Sequence, residues 1–133
     1  MKKKYSNTFP KSQKLKSKKD IKLLFGSHAT KSISKGLLAR WILFEERNLQ
    51  SKYLIIVPKK RIAKAVLRNY IKRCMREGIR KNKGPFEEYL SQKGQYIHLA
   101  FIYQNENPIK ASDIEELMKK GIKKVWHELE TNY

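Results

Sequence analysis

Residues 68–80 read RNYIKRCMREGIR, and this stretch predicts one helix with two unlike faces. At about 100° per residue, an apolar side of that helix collects Leu67, Tyr70, Ile71, Cys74 and Gly78. Basic residues recur every four positions to form a cationic ridge: Lys64, Arg68, Lys72, Arg76 and Arg80, with Asn69 and Arg73 beside it. Like charges at this spacing repel by a few tenths of a kcal/mol per pair. The ridge is therefore typical of a helix along which a polyanion lies.

The charge of the whole chain is strongly positive and unevenly spread. The 133 residues include 31 Lys and Arg against 12 Asp and Glu, a formal net charge of +19. Residues 1–83 hold 25 of the basic and 4 of the acidic residues, whereas residues 84–133 hold 6 and 8. A nearly neutral C-terminal part joined to a cationic remainder indicates one domain with a charged face.

Length and composition predict a single RNA-binding domain over 1–133, with residues 1–11 as a mobile basic arm. A hydrophobic content of 40% is enough for a packed core. The single cysteine, Cys74, cannot form an internal disulfide and fits a cytoplasmic location. No apolar run approaches the length of a membrane span, so we expect no membrane partner.

The secondary-structure signals follow one another in the order α-β-β-α-β-α. Ser17 and Asp20 resemble a capping box for a short helix over 17–26. Strands are predicted over 37–44, 53–57 and 95–103, the second halted by Pro58. The basic helix is expected to stop at Gly84 and Pro85, and apolar residues at helical spacing predict a last helix behind Ser112.

The basic helix and the loop before it resemble the signature of the bacterial ribonuclease P protein component. In that family a basic loop leads into Ala-Val, then Arg-Asn, Lys-Arg and Arg-Glu, each pair separated by two or fewer residues. This chain has the same order at Lys59, Lys60, Ala65, Val66, Arg68, Asn69, Lys72, Arg73, Arg76 and Glu77. The resemblance covers roughly residues 12–130. It departs at Ala63, where the family usually has Gly, and at Ile21, where relatives often carry Phe.

The resemblance implies an α+β fold and a role in tRNA maturation. The fold would be a small α-β sandwich of the ribosomal protein S5 domain 2 type, with a left-handed β-α-β crossover. The protein would be a subunit of a ribonucleoprotein endoribonuclease whose chemistry is carried by its RNA. It would bind that catalytic RNA and the 5′ leader of precursor tRNA, and assist Mg²⁺-dependent endonucleolytic 5′ maturation.

The residues themselves favour an auxiliary role over protein-based catalysis, and we expect no catalytic side chain and no small-molecule substrate. Phosphodiester hydrolysis generally needs metal ions on clustered carboxylates or a positioned acid–base pair. The carboxylates of the basic region show no paired spacing, and His28, His98 and His127 lie in different elements without ligand spacing. We therefore expect Mg²⁺ to be bound mainly by the RNA partner and no metal site on the protein.

Two groups of candidate RNA contacts follow. The residues expected to bind the catalytic RNA are Lys59, Lys60, Arg61, Lys64, Arg68, Asn69, Lys72, Arg73, Arg76 and Arg80. Arginine grips a phosphate with two donors, which favours Arg68, Arg73 and Arg76 as backbone contacts. Phe25 and Trp41 are the candidates for stacking on leader bases, with a core position as the alternative for each. Arg40 alternates with Trp41, so only one of the two can face the cleft if the strand is regular.

Other functions remain open from the residues alone. A ribosomal-type RNA-binding protein or an RNA chaperone without nuclease association would share the charge and the small size. A DNA-binding regulator would need a helix-turn-helix pair ahead of its recognition helix, whereas strands precede the basic helix here. A free-standing nuclease is disfavoured by the shortage of carboxylates.

Overall fold

The computed structural model describes residues 8–132 and has the predicted α+β fold. A four-stranded sheet consists of β1 (Thr30–Ser34), β2 (Leu37–Phe44), β3 (Lys52–Ile56) and β4 (Tyr96–Tyr103), in the spatial order β1-β2-β4-β3. The helices are α1 (Lys18–Leu24), α2 (Ala65–Gln92) and α3 (Ala111–Asn132). Strands β1, β2 and β4 are antiparallel neighbours, whereas β3 runs parallel to β4 and is joined to it through α2.

The two faces of the sheet carry different helices. Leu37, Ala39 and Trp41 of β2 point to the face covered by α2 and α3, where the main core lies. The alternate residues point to the opposite face, where a smaller apolar cluster is built on Leu15, Leu24 and Ala100. The pleat of β2 therefore decides which of its side chains meet the large core and which meet α1.

Strand β1 was not predicted, so the element order is α-β-β-β-α-β-α. Its sequence, TKSIS, is short and polar, and Ile33 is 70% exposed, so its hydrophobic pattern is weak. The feature of the sequence that could have indicated β1 is the turn that follows it. Gly36, which has a φ of 79°, reverses the chain there between Ser34 and Leu37. A side chain is rarely tolerated at that angle.

Helix α2 does not stop at Gly84 and Pro85, as the sequence predicted, but continues to Gln92. Proline inside a helix costs about 3 kcal/mol because it removes a hydrogen bond and crowds the preceding turn. The next turns bury Phe86 and Leu90, which are 0% and 1% exposed. Burial of two such side chains contributes about 1.5–3 kcal/mol each, which offsets the cost of the proline.

The segment before α1 is packed against β3. Leu15 N donates to the carbonyl oxygen of Tyr53 at 2.8 Å, and the Phe9 ring meets the Tyr53 ring edge-on at 5.6 Å. Ser17 caps α1, since its Oγ accepts a hydrogen bond from Asp20 N at 3.2 Å, as predicted. Residues 1–7 of the predicted basic arm lie outside the described residues. None of the helices within residues 8–132 combines the length and the apolar character that a bilayer span needs.

Helices α2 and α3 meet closely at Gly78. A Cβ at that position would lie 2.6 Å from Met118 Cβ, so the absence of a side chain sets the distance between the two helices. Because α2 also contacts the sheet, it is held between the sheet and α3 at this point.

Gly78→Ala should lower the free energy of unfolding by about 1–3 kcal/mol, because the added methyl group overpacks the contact with Met118. Urea unfolding followed by circular dichroism measures the change. Gly26→Ala is the control without overpacking, since the atom nearest to a Cβ at that position is the Leu23 carbonyl oxygen, at 3.4 Å. Equal stability of the Gly78 variant and the wild type would contradict the packing described for α2 and α3.

Candidate nucleic-acid interface

The loop before α2 and the first turns of that helix are fastened to each other. Arg68 Nη1 donates to the carbonyl oxygens of Ile62 and Ala63, at 3.0 and 2.7 Å. Ile62 is itself buried at 3% exposure, which anchors the loop in the core. The basic loop and the helix therefore form one surface of defined shape. Arg68 has a structural task there in addition to its predicted contact with RNA.

Most of the predicted contact residues lie on this surface without a counter-charge. We name it the cationic surface and define it by Lys59, Lys60, Lys64, Arg68, Asn69, Lys72, Arg73 and Arg76. Lys59, Lys60, Lys64, Asn69 and Arg73 are exposed, and the other three are half-buried. Within residues 8–132 none of its basic members forms an ion pair. The first turn of α2 has no acidic residue either, so the positive end of the helix dipole adds to the same field.

The far end of the predicted ridge is neutralised. Arg80 donates from Nε and Nη2 to both carboxylate oxygens of Glu77, at 3.0 and 2.9 Å. The hydrogen bond from Arg80 lowers the pKa of the Glu77 carboxyl, so this pair stays charged. Lys81 pairs with Glu115 at 2.9 Å, and Lys83 with Glu87 at 3.3 Å. The unpaired positive charge of α2 therefore ends at Arg76.

Arg61, at the other end, is also held by neighbours. Its Nη2 donates to Gln104 Oε1 at 3.0 Å, and its Nη1 lies 3.7 Å from a carboxylate oxygen of Glu106. Glu106 is 80% exposed in its side chain, so the ion pair is weak. Arg61 and Arg80 remain predicted RNA contacts, but each must give up a protein partner to bind a phosphate.

The prediction that Trp41 lines a leader cleft is wrong. Trp41 is 1% exposed and faces α3, where its Nε1 donates to Ser32 Oγ at 2.9 Å. Ser32 in turn donates to Glu128, which links the buried indole to α3. The alternation of β2 that places Trp41 in the core turns Arg40 to the opposite face.

Phe25 and Arg40 lie together on the α1 side of the sheet. Phe25 ends α1 and is 46% exposed, so it is not a core residue. The Arg40 guanidinium lies 5.4 Å from the centre of the Phe25 ring. Arg40 also donates to the carbonyl oxygens of Leu24 and Gly26, at 2.7 and 3.2 Å, which fastens the end of α1 to β2.

An apolar row crosses the sheet beside this pair. The strand register aligns Ile33 of β1, Leu38 of β2, Ile102 of β4 and Ile56 of β3. They share the α1 side, because their neighbours Ser32 and Ala39 face the main core. The smaller cluster under α1 is built from the next rows, at Ala100, Leu54 and Ile42. The row could not be predicted from the sequence, since it depends on the missed strand β1 and on the register of all four strands.

The described part of the chain contains no cluster of side chains that could bind a metal ion. No three His, Cys, Asp or Glu side chains among residues 8–132 come close enough together to hold an ion. His28 and His127 are exposed, whereas His98 is 8% exposed, and burial lowers its pKa. Cys74 is a buried free thiol on the core side of α2.

Comparisons with known proteins agree with this architecture. The family model described as Ribonuclease P matches residues 9–130. A curated relative, the ribonuclease P protein component of Porphyromonas gingivalis, is 29% identical over 112 residues, which are 84% of this chain and 82% of the relative. Two solved structures share the fold. The RNase P protein of Staphylococcus aureus has a TM-score of 0.59 at 19% identity, covering 85% of this chain and 94% of that one. The RNase P protein of Thermotoga maritima has a TM-score of 0.57 at 23% identity, covering 80% and 96%.

Arg68→Ala should lower the free energy of unfolding by about 1 kcal/mol, because the carbonyl groups of Ile62 and Ala63 lose their donor. Arg73→Ala is the matched control: it removes the same charge from an exposed position and should change stability by less than about 0.5 kcal/mol. Denaturant unfolding of both variants decides the point. Two equal values would mean that Arg68 does not hold the loop.

Proposed function

The chain belongs to the ribonuclease P protein family, and from this premise we propose that it binds two RNAs. The catalytic RNA would bind to its cationic surface. The leader of precursor tRNA would bind to the α1 side of its sheet. As a ribonuclease P protein component, it is part of a ribonucleoprotein endoribonuclease with a role in tRNA 5′ processing. An RNA subunit and precursor tRNA are the partners that this membership implies.

The observation that carries the first half of the proposal is the lack of counter-charges on the cationic surface. Seven basic side chains between residues 59 and 76 have no ion-pair partner in residues 8–132, although 12 acidic residues occur in the chain. A phosphate backbone supplies the missing charge. Each neutralised phosphate releases counterions, so several such contacts change affinity by orders of magnitude between low and high salt. Asn69 lies among these cations and can donate to a phosphate or a ribose oxygen.

The leader is assigned to the cleft beside α1. Phe25 offers an exposed ring for stacking, Arg40 places a positive charge next to it, and the apolar row provides a floor. Stacking of an unpaired base on an aromatic ring contributes about 1–3 kcal/mol and depends little on which base it is. The proposed cleft therefore accepts a single-stranded leader without strict sequence preference.

Ribonuclease P is generally Mg²⁺-dependent, and we propose that the ion is held mainly by RNA phosphates. Oxygen ligands, above all carboxylates, are what Mg²⁺ takes from proteins, and residues 8–132 do not cluster them. The cationic side chains would bind and orient the two RNAs, while the metal stabilises charge at the scissile phosphate. The buried free thiol of Cys74 suits the cytoplasmic location proposed for this reaction.

Arg73→Ala combined with Lys60→Ala should weaken binding to the catalytic RNA and reduce the slope of log affinity against log salt by about one unit per lost contact. Filter-binding titrations over a range of salt concentrations measure both. Lys119→Ala combined with Lys123→Ala is the control, since these lysines are exposed on α3. An unchanged slope for the first pair would show that its side chains are only solvated. Protein without RNA should leave precursor tRNA intact in magnesium buffer.

Phe25→Ala should weaken holoenzyme binding of precursor tRNA by about 1–3 kcal/mol and leave mature tRNA unaffected, because only the precursor carries a leader. Thermal unfolding should change little, since the ring is 46% exposed. Trp41→Ala is the contrasting variant, for which burial predicts a loss of about 3–5 kcal/mol of stability. Equal losses for precursor and mature tRNA would remove Phe25 from the leader site.

A further inference from the structure

We propose that a cavity at the open edge of β3 holds one unpaired base of the catalytic RNA. The proposal rests on the assignment of the cationic surface to that RNA and adds a specific contact to it. The cavity has a volume of about 230 Å³ and lies between the segment before α1, strand β3 and helix α2. Pockets for drug-sized ligands are larger, about 300–1,000 Å³, so the occupant is a small group such as a single planar ring.

The inner walls of the cavity are apolar and held in place. Phe9, Leu15, Leu54 and Ile55 line it together with the ring of Tyr53. The Tyr53 hydroxyl donates to Glu87 at 2.6 Å, and burial, reinforced by Glu87, raises the pKa of that hydroxyl well above its usual value. The ring therefore cannot swing into the cavity without breaking a buried hydrogen bond. A flat aromatic base is the group of an RNA that matches such walls.

The backbone of β3 offers hydrogen bonds at the same place. The Tyr53 carbonyl oxygen accepts from Leu15 N across the outer edge of the strand. Alternate residues of a strand direct their N–H and C=O groups to the same side, so Ile55 presents a donor and an acceptor to that edge. A base edge, which also carries adjacent donors and acceptors, can pair with them.

The mouth of the cavity is positively charged. Lys14 and Lys16 come from the segment before α1, and Lys72 and Arg76 from α2. None of the residues that line the cavity is acidic, and within the described chain none of these four cations has an ion-pair partner. An apolar interior beneath unpaired cations is complementary to a nucleotide, with its base inside and its phosphates at the rim.

The catalytic RNA is the partner that fits this position. Lys72 and Arg76 belong to the cationic surface, so a strand bound along that surface reaches the cavity without a gap. The ring and the cation proposed to bind the leader, Phe25 and Arg40, lie at the end of α1 and on β2, and β4 separates β2 from β3 by about 10 Å at the usual strand spacing. Only the apolar floor of the leader cleft extends to β3, through Ile56. The cavity could not be predicted from the sequence, because Phe9 and Lys16 lie more than 50 residues before Lys72 and Arg76, the residues of α2 that line it with them.

The decisive experiment places a photoreactive benzophenone side chain at position 9 and irradiates the assembled holoenzyme with precursor tRNA. The expected result is a crosslink to one nucleotide of the catalytic RNA, mapped by primer extension. A crosslink to the leader, or a diffuse set of weak crosslinks, would overturn the proposal. Phe9→Ala should weaken binding of the catalytic RNA about 5- to 150-fold, the range expected for loss of one stacked base.

Matched lysines separate the cavity from general electrostatics and from loss of folding. Lys16 lines the cavity and Lys18 does not, although both are exposed and two positions apart. Lys16→Ala should lower the salt slope by about one unit, whereas Lys18→Ala should leave it unchanged. Equal changes of the salt slope in the two lysine variants, or an unchanged affinity of Phe9→Ala for the catalytic RNA, would refute the proposed base site in the cavity. Neither result would contradict binding of that RNA to the cationic surface. Failure of the wild-type protein to bind the catalytic RNA would overturn both.

Discussion

The burial of one side of α2 is the constraint on which the rest of this structure depends. Unpaired like charges at i,i+4 disfavour the helix by a few tenths of a kcal/mol per pair, and Pro85 adds about 3 kcal/mol. Against these, Ile71, Met75, Ile79, Phe86 and Leu90 are at most 1% exposed, and each contributes about 1.5–3 kcal/mol. The hydrophobic term is the larger one. It allows the outer side of the helix to concentrate positive charge that an isolated helix would not tolerate.

Acidic residues divide α2 into two halves with different tasks. Glu77 and Glu87 of the helix itself and Glu115 of α3 pair with the basic residues that follow Arg76. Among these residues the Lys83 side chain is 1% exposed, and an unpaired charge would be costly to bury there. The half up to Arg76 buries Ile71 and Met75 on one side and keeps the cations of its other side unpaired within residues 8–132. The uneven distribution of charge along the sequence thus corresponds to a division of α2. The half after Arg76 has its basic residues paired within the protein, and the half up to Arg76 carries the proposed RNA contacts.

Much of the fold could be predicted because its signals are local. The bounds of β2 agree with prediction at both ends, and the cap at Ser17 and the periodicity of α3 are local patterns as well. The errors arise where distant packing overrides a local rule. Pro85 predicts a helix end, but the core position of Phe86 keeps the helix going. Strand β1 has almost no hydrophobic pattern of its own and is held by pairing with β2.

The candidate site shows the same division between what is local and what is assembled. The spacing of Arg68, Lys72 and Arg76 is visible in the sequence, but the ion pair that occupies Arg80 is a matter of side-chain geometry. The alternation of a strand shows that Arg40 and Trp41 point to opposite faces of the sheet. It does not show which of the two faces α3, because that depends on the whole sheet. Once Trp41 lies in the core and donates to Ser32, Arg40 must lie on the other side, next to Phe25. One buried indole thereby determines which cation stands beside the proposed leader cleft, although it touches neither the cleft nor the RNA.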